Sequence, residues 1–115
     1  MFEIKVILGN PDSKEKMEVT GLVDTGATLT VIPRRVANSL KILPKSTANV
    51  MTAGGPIEID ISSAEIEVSG KRDVVRIAIS DVIDKVLIGV TTLEILGLAV
   101  DPISGQLKES TYLLY

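Results

Sequence analysis

Along the opening of the chain, apolar and polar positions alternate. Phe2, Ile4, Val6 and Leu8 are interleaved with Glu3 and Lys5, the period of two expected of a half-buried strand. Gly9-Asn10-Pro11-Asp12-Ser13 is dense in turn residues. Residues 17–23 resume an extended pattern, so the chain opens as a hairpin. Asp24-Thr25-Gly26-Ala27 interrupts the second strand with a tight loop, and residues 28–32 return to an extended, β-branched run. Pro33 suits the first position of a helix over 34–40, where its missing N–H costs nothing and Val36 and Leu40 share a face. Residues 47–52 form another strand, leading into a turn at Ala53-Gly54-Gly55-Pro56. Beyond it Ile57, Ile59 and Ile61 alternate with polar residues, but afterwards the apolar set is Ala64, Ile66 and Val68. A side-chain period of two changes phase only at an irregularity, which predicts a bulge near Ser62-Ser63.

Residues 69–73 read as a turn and Val75, Ile77 and Ile79 as a strand. Val86-Leu87-Ile88 is a short apolar strand ending at Gly89. Thr91 with Glu94 three residues on fits a capping box, and Gly97 is placed to end the helix that follows. Leu98 to Asp101 are extended, 102–105 turn, and 106–108 and 111–115 are extended again. The pattern predicts one all-β domain over residues 1–115 with one or two short helices.

Composition narrows the chemistry. Hydrophobic residues make up 45% of the 115, with two Tyr, one Phe and no Trp, so the core is aliphatic and biased toward strands. No Cys is present, which excludes disulfides and thiolate catalysis; no His is present, which excludes Ser-His and Cys-His nucleophile systems and the usual zinc sites. Hydrolytic chemistry would have to rest on carboxylates, hydroxyls, Lys or a hard metal; a metal site is the weakest of these readings, and no metal or other cofactor is expected. The acidic residues also lack calcium-loop spacing. A net charge of −3 gives no electrostatic footprint for nucleic acid, and the pairs Arg34-Arg35 and Lys71-Arg72 read as solvated. No apolar run approaches the roughly 20 residues that cross a bilayer. The N-terminus alternates like a strand rather than a signal peptide, which makes a cytoplasmic protein the expectation.

One segment carries candidate chemistry. In Gly21-Leu22-Val23-Asp24-Thr25-Gly26-Ala27 a carboxylate ends an apolar strand beside a residue that permits close approach of a backbone or ligand. Asp-Thr-Gly alone is also an ordinary turn tripeptide. The longer stretch Leu22 to Pro33, LVDTGATLTVIP, resembles the active-site segment of the retropepsin-like aspartic peptidases, in a form of cellular origin. Met51-Thr52-Ala53-Gly54-Gly55-Pro56-Ile57 stands where that family has its Gly-rich flap. Val86-Leu87-Ile88-Gly89, followed by a helix ending Ile95-Leu96-Gly97-Leu98, resembles its second signature. The three come in order and at the family's spacing.

The resemblance implies an all-β, closed β-barrel-like retropepsin fold and an aspartic endopeptidase in which two carboxylates flank one water. Only one Asp-Thr-Gly occurs here, so the dyad would pair Asp24 with its copy across a homodimer axis. It further implies that Thr25 hydrogen-bonds across that axis, that Gly26 keeps the carboxylates coplanar with Ala27 packed beside it, and that Thr52, Ala53, Gly54, Gly55, Pro56 and Ile57 close over an extended peptide or protein substrate. Leu87, Ile88 and Gly89 would support the loop from below. Retroviral members carry an acidic or hydroxyl residue after Asp-Thr-Gly-Ala; here that position is Thr28, followed by Leu29, which bears on substrate contacts and not on the chemistry. Pro56 stiffens the flap, and no aromatic residue lies near either segment. Tyr112-Leu113-Leu114-Tyr115 fits an intersubunit sheet and an intramolecular edge strand equally well. Two other readings stand beside the peptidase: a non-catalytic dimeric peptide-binding or assembly module on the same fold, and a plain β-barrel in which Asp24 only makes a turn.

Overall fold

A computed structural model describes residues 2–110, and the tail segment 111–115 lies outside the described residues. The alternating N-terminal pattern becomes β1 (Phe2–Gly9), antiparallel to β2 (Lys16–Val23). Their connection is an Asx turn in which Asn10 Oδ1 accepts the Asp12 N–H at 2.8 Å. The chain continues through β3 (Thr30–Pro33), α1 (Arg34–Ser39), β4 (Ser46–Thr52), β5 (Gly55–Val68), β6 (Lys71–Ser80), β7 (Val86–Ile88), α2 (Val90–Ile95), β8 (Leu98–Val100) and β9 (Leu107–Glu109).

The main sheet has the order β1-β2-β7-β3-β6-β5-β4, and an additional pairing of β1 with β5 closes six of its strands into a barrel. Only β4 stands outside the closure, on the far side of β5. The hairpin β4–β5 therefore extends from the barrel as a projecting arm. β8 and β9 form a separate two-stranded ribbon. Val6, Leu8, Ile32, Ile66, Ile77, Ile79 and Ile88 fill the barrel and are almost wholly excluded from solvent. Burial contributes about 1.5–3 kcal/mol for each such side chain. No helix among the described residues is long and apolar enough to cross a membrane.

Several local expectations need correction. There is no bulge at Ser62-Ser63: β5 pairs with β6 in one unbroken register from Asp60↔Ile79 to Val68↔Lys71. The phase change arises because a single long strand leaves the arm and enters the barrel, so the face carrying Glu58 and Asp60 becomes the core face at Ala64, Ile66 and Val68. Ser62, buried on that face, satisfies its hydroxyl by donating to the Leu43 carbonyl at 2.7 Å. The turn between β4 and β5 is only Ala53-Gly54, and Gly55 and Pro56 belong to β5, paired with Thr52 and Met51.

The helix starts also differ. Pro33 caps α1 from outside and closes β3, rather than taking the first helical position. Gly89, not Thr91, caps α2, and no side chain makes the cap hydrogen bond. The C-terminus of α1 is a Schellman motif: Lys41, at φ 58°, donates its N–H to the Asn38 carbonyl and Ile42 donates to that of Ala37. α2 ends at Gly97 as expected, with φ 69° and its N–H on the Glu94 carbonyl.

Candidate active site

Asp24 follows the last residue of β2, and the route of the chain around it explains its fixed position. β7 lies between β2 and β3, parallel to the first and antiparallel to the second. The chain must therefore leave β2, pass around the end of β7 and come back along its other side. Loop 24–29 is that passage. Because β7 occupies the space between, its C-terminal end and the residues after it meet both ends of the loop.

Hydrogen bonds fasten the two together. The Asp24 N–H donates to the Ile88 carbonyl at 2.9 Å, Val90 N–H to Ala27 at 2.8 Å, and Thr91 N–H to Thr28 at 3.1 Å. The loop closes on itself through Ala27 N–H to the Asp24 carbonyl at 3.1 Å. Gly89 is the point of closest approach: a Cβ there would lie 2.5 Å from the Leu29 carbonyl carbon. Only glycine fits against a backbone at that distance.

The Asp24 carboxylate is half-buried, and its Oδ1 accepts the Gly26 N–H at 3.0 Å. That bond fixes the side chain's direction relative to the loop, leaving its second oxygen for other partners. Thr25 and Gly26 are exposed at the tip and Ala27 is half-buried. Among the expected supporting residues, Ile88 and Gly89 are buried and Leu87 is half-buried; Leu87 and Ile88 lie on the strand that the loop encircles, and Gly89 follows it as the cap of α2.

Two residues that the sequence reading passed over belong to the same arrangement. Thr30 and Thr92 are wholly buried, with their hydroxyl oxygens 2.6 Å apart, and Thr30 Oγ1 also accepts the Gly89 N–H at 3.1 Å. The pair joins the start of β3 to α2 behind the loop. A signal was present in the sequence, since Thr30 sits in an otherwise apolar run, but nothing local identifies a partner 62 residues away.

The second expected part of the site lies at the other end of the sheet order. Thr52, Ala53, Gly54, Gly55, Pro56 and Ile57 form the tip of the projecting hairpin, all exposed except half-exposed Gly55. Gly55 has φ 109°, which explains glycine at that position. The tip is braced internally: Thr52 Oγ1 donates to the Gly55 carbonyl at 2.7 Å and accepts the Gly54 N–H at 3.2 Å. Met51 and Ile57 beside it are exposed apolar side chains. Shallow grooves of about 390 and 410 Å³ lie elsewhere on the surface, the first between β2 and α1 and the second between β1 and the β5–β6 turn, and neither includes Asp24 or the hairpin tip.

The arginine pair read as solvated is engaged. Arg34 meets both Asp60 on β5 and Asp81 in the loop after β6, each at 2.8 Å, and Arg35 meets Asp84 at 2.9 Å. The guanidinium of Arg34 is held well above its ordinary value, by its hydrogen bond to Asp81 and then by that to Asp60.

This closed barrel with a projecting hairpin and an Asp-Thr-Gly loop around an inner strand is the retropepsin fold. The chain is similar to the EIAV protease complexed with the inhibitor HBY-793, with a TM-score of 0.66 and 22% sequence identity, over 84% of this chain and 88% of that one. It is also similar to the Simian Foamy Virus (mac) protease, with a TM-score of 0.61 and 18% identity, over 83% and 94% of the two chains. No curated protein matches it in sequence. The sequence profile described as Aspartyl protease matches residues 7–98, a span containing loop 24–29, the hairpin and β7. The chain belongs to this aspartyl protease family.

Proposed function

We propose that the protein is an aspartic endopeptidase of the cytoplasm that works as a homodimer, with residues 1–115 as one peptidase domain. The observation that carries this reading is the setting of Asp24: a carboxylate oriented by the Gly26 N–H, on a loop hydrogen-bonded to β7 and α2. A turn that merely reversed the chain would need no such fastening. Since the sequence has one Asp-Thr-Gly, the second carboxylate comes from Asp24 of another copy. The exposed tip at Thr25 and Gly26 leaves room for that copy to meet it about a two-fold axis.

Two carboxylates placed close together cannot both ionise, so they share a proton and titrate as a pair. The ionised member takes a proton from the water between them, and the water oxygen attacks the scissile carbonyl carbon. The protonated member hydrogen-bonds the carbonyl oxygen as negative charge develops there. The tetrahedral intermediate collapses when a proton reaches the leaving nitrogen and the C–N bond breaks. Thr25 fixes the loop across the axis, while Gly26 and Ala27 keep the carboxylates level. Leu87, Ile88 and Gly89 hold the loop from behind. The hairpin tip at 52–57 acts as a flap over an extended peptide, which it meets through strand-like backbone pairing.

The test is to incubate wild type and Asp24→Asn with a denatured-protein peptide library from mildly acidic to neutral pH and identify products by mass spectrometry. Cleavage by wild type and none by Asp24→Asn is the expected outcome. A dimer by light scattering with no cleavage would replace the peptidase with a peptide-binding module on the same fold. A monomer at micromolar concentration would overturn the dyad.

A further inference from the structure

Resting on the peptidase reading, we infer that Arg34 is a positioning residue that couples the β4–β5 hairpin to loop 81–84, so that the two segments move together and substrate affinity depends on both. The inference starts from where Arg34 is anchored. It opens α1, whose Val36 and Ala37 are buried and whose last turn is locked by the Schellman hydrogen bonds, so its backbone is held against the barrel. From this base one guanidinium reaches two segments that lie apart in the chain, the root of the β4–β5 hairpin and loop 81–84.

Toward loop 81–84 it makes a fork: Nε donates to Asp81 Oδ1 at 2.8 Å and Nη2 to Asp81 Oδ2 at 3.0 Å. Toward the hairpin, the same Nη2 is 2.8 Å from Asp60 Oδ2. Asp60 pairs with Thr47 on β4 and with Ile79 on β6, which places it at the root where the hairpin leaves the barrel. Thus the two carboxylates converge on a single nitrogen. With the cation present they are drawn together; without it, like charges face each other and the segments separate.

The loop itself has shape of its own. Ser80 Oγ accepts the N–H groups of Val82 at 3.1 Å and Ile83 at 2.9 Å, and Arg35 holds its far end through the Asp84 carboxylate and carbonyl. It presents Val82, 87% exposed, and then runs straight into β7 and Gly89. The hairpin likewise presents exposed Met51 and Ile57. An isolated surface ion pair contributes little. A planar fork that serves two carboxylates is geometrically specific, and the point charge of a lysine does not reproduce it. The Asp81 carboxyl is accordingly held below its ordinary range by the Arg34 hydrogen bond.

The experiment compares amide hydrogen exchange and peptide-cleavage kinetics in wild type, Arg34→Gln, Arg34→Lys and Asp60→Asn. Asp60→Asn removes a group only on the hairpin side, yet it is expected to speed exchange at Val82 and Ile83 about fivefold as well as in the hairpin. In Arg34→Gln both segments exchange faster and KM rises about fivefold while kcat stays within about twofold. Arg34→Lys is expected to resemble Arg34→Gln. Changes confined to the hairpin in Asp60→Asn, full recovery by Arg34→Lys, or a loss in kcat with KM unchanged would each overturn the inference. The exchange measurements need no catalysis, so they decide the coupling even if the protein cleaves nothing.

Discussion

Loop 24–29 and the tip of the β4–β5 hairpin are both short, polar turns with glycine at their centre, and the fold treats them in opposite ways. The loop wraps a strand of the barrel. Its backbone is bonded to Ile88, Val90 and Thr91, and two buried threonines lie behind it. Among the described residues the hairpin tip is bonded only within the hairpin, and its side chains are exposed. On the proposed function the difference has a chemical sense. A reacting carboxylate must be held within a fraction of an ångström, and that requires packing and hydrogen bonds from several elements. A segment that admits and covers a polymer must open, and local opening is cheap only where few buried contacts are lost.

The sharpest way to break this comparison is at Gly89. Gly89→Ala puts a Cβ against the Leu29 backbone, which cannot swing aside as a side chain would. A stability loss of about 3 kcal/mol in urea unfolding is expected, from overpacking between two backbones. A variant as stable as wild type would show that the loop is not clamped.

Thr30→Val tests the polar layer behind the loop with less disturbance. It strands the Gly89 N–H and the Thr92 hydroxyl, both buried, at an expected cost of about 2 kcal/mol. Thr92→Val costs less, because Thr30 Oγ1 still accepts the Gly89 N–H, and the double variant falls short of the sum. Strict additivity in thermal unfolding would mean that the two hydroxyls do not act as a unit.

The smallest effect is expected at the hairpin. Gly55→Ala meets no neighbouring atom within 4 Å, so its cost is the backbone conformation alone, about 1 kcal/mol. That cost stays local: amide exchange rises between residues 46 and 57 while the urea midpoint of the barrel scarcely moves. A shift of the midpoint comparable with that of Thr30→Val would erase the distinction between the two regions.

Much of this was readable along the chain, because hydrophobic periodicity and turn chemistry are local. The alternation at Phe2 to Leu8, the apolar run Val86–Ile88 and the stop at Gly97 each became the element their neighbours in sequence dictate. The Asp-Thr-Gly loop was legible for the same reason. The apparent slip at Ser62-Ser63 was misleading, since the same pattern results when one regular strand passes from an arm into a barrel. Which face is buried depends on what lies opposite, and that is not written in the strand.

By itself, then, the sequence determined that the protein is an aliphatic all-β chain without thiol or imidazole chemistry and with one Asp-Thr-Gly, at Asp24, because composition and short-range pattern suffice for each. Only the tertiary structure decided that β7 threads between β2 and β3, that Gly89 must be glycine, that Thr30 meets Thr92, and that Arg34 serves Asp60 and Asp81 together. Each of these joins residues far apart in the chain. Their pairing follows from closure of the barrel, which no local preference encodes.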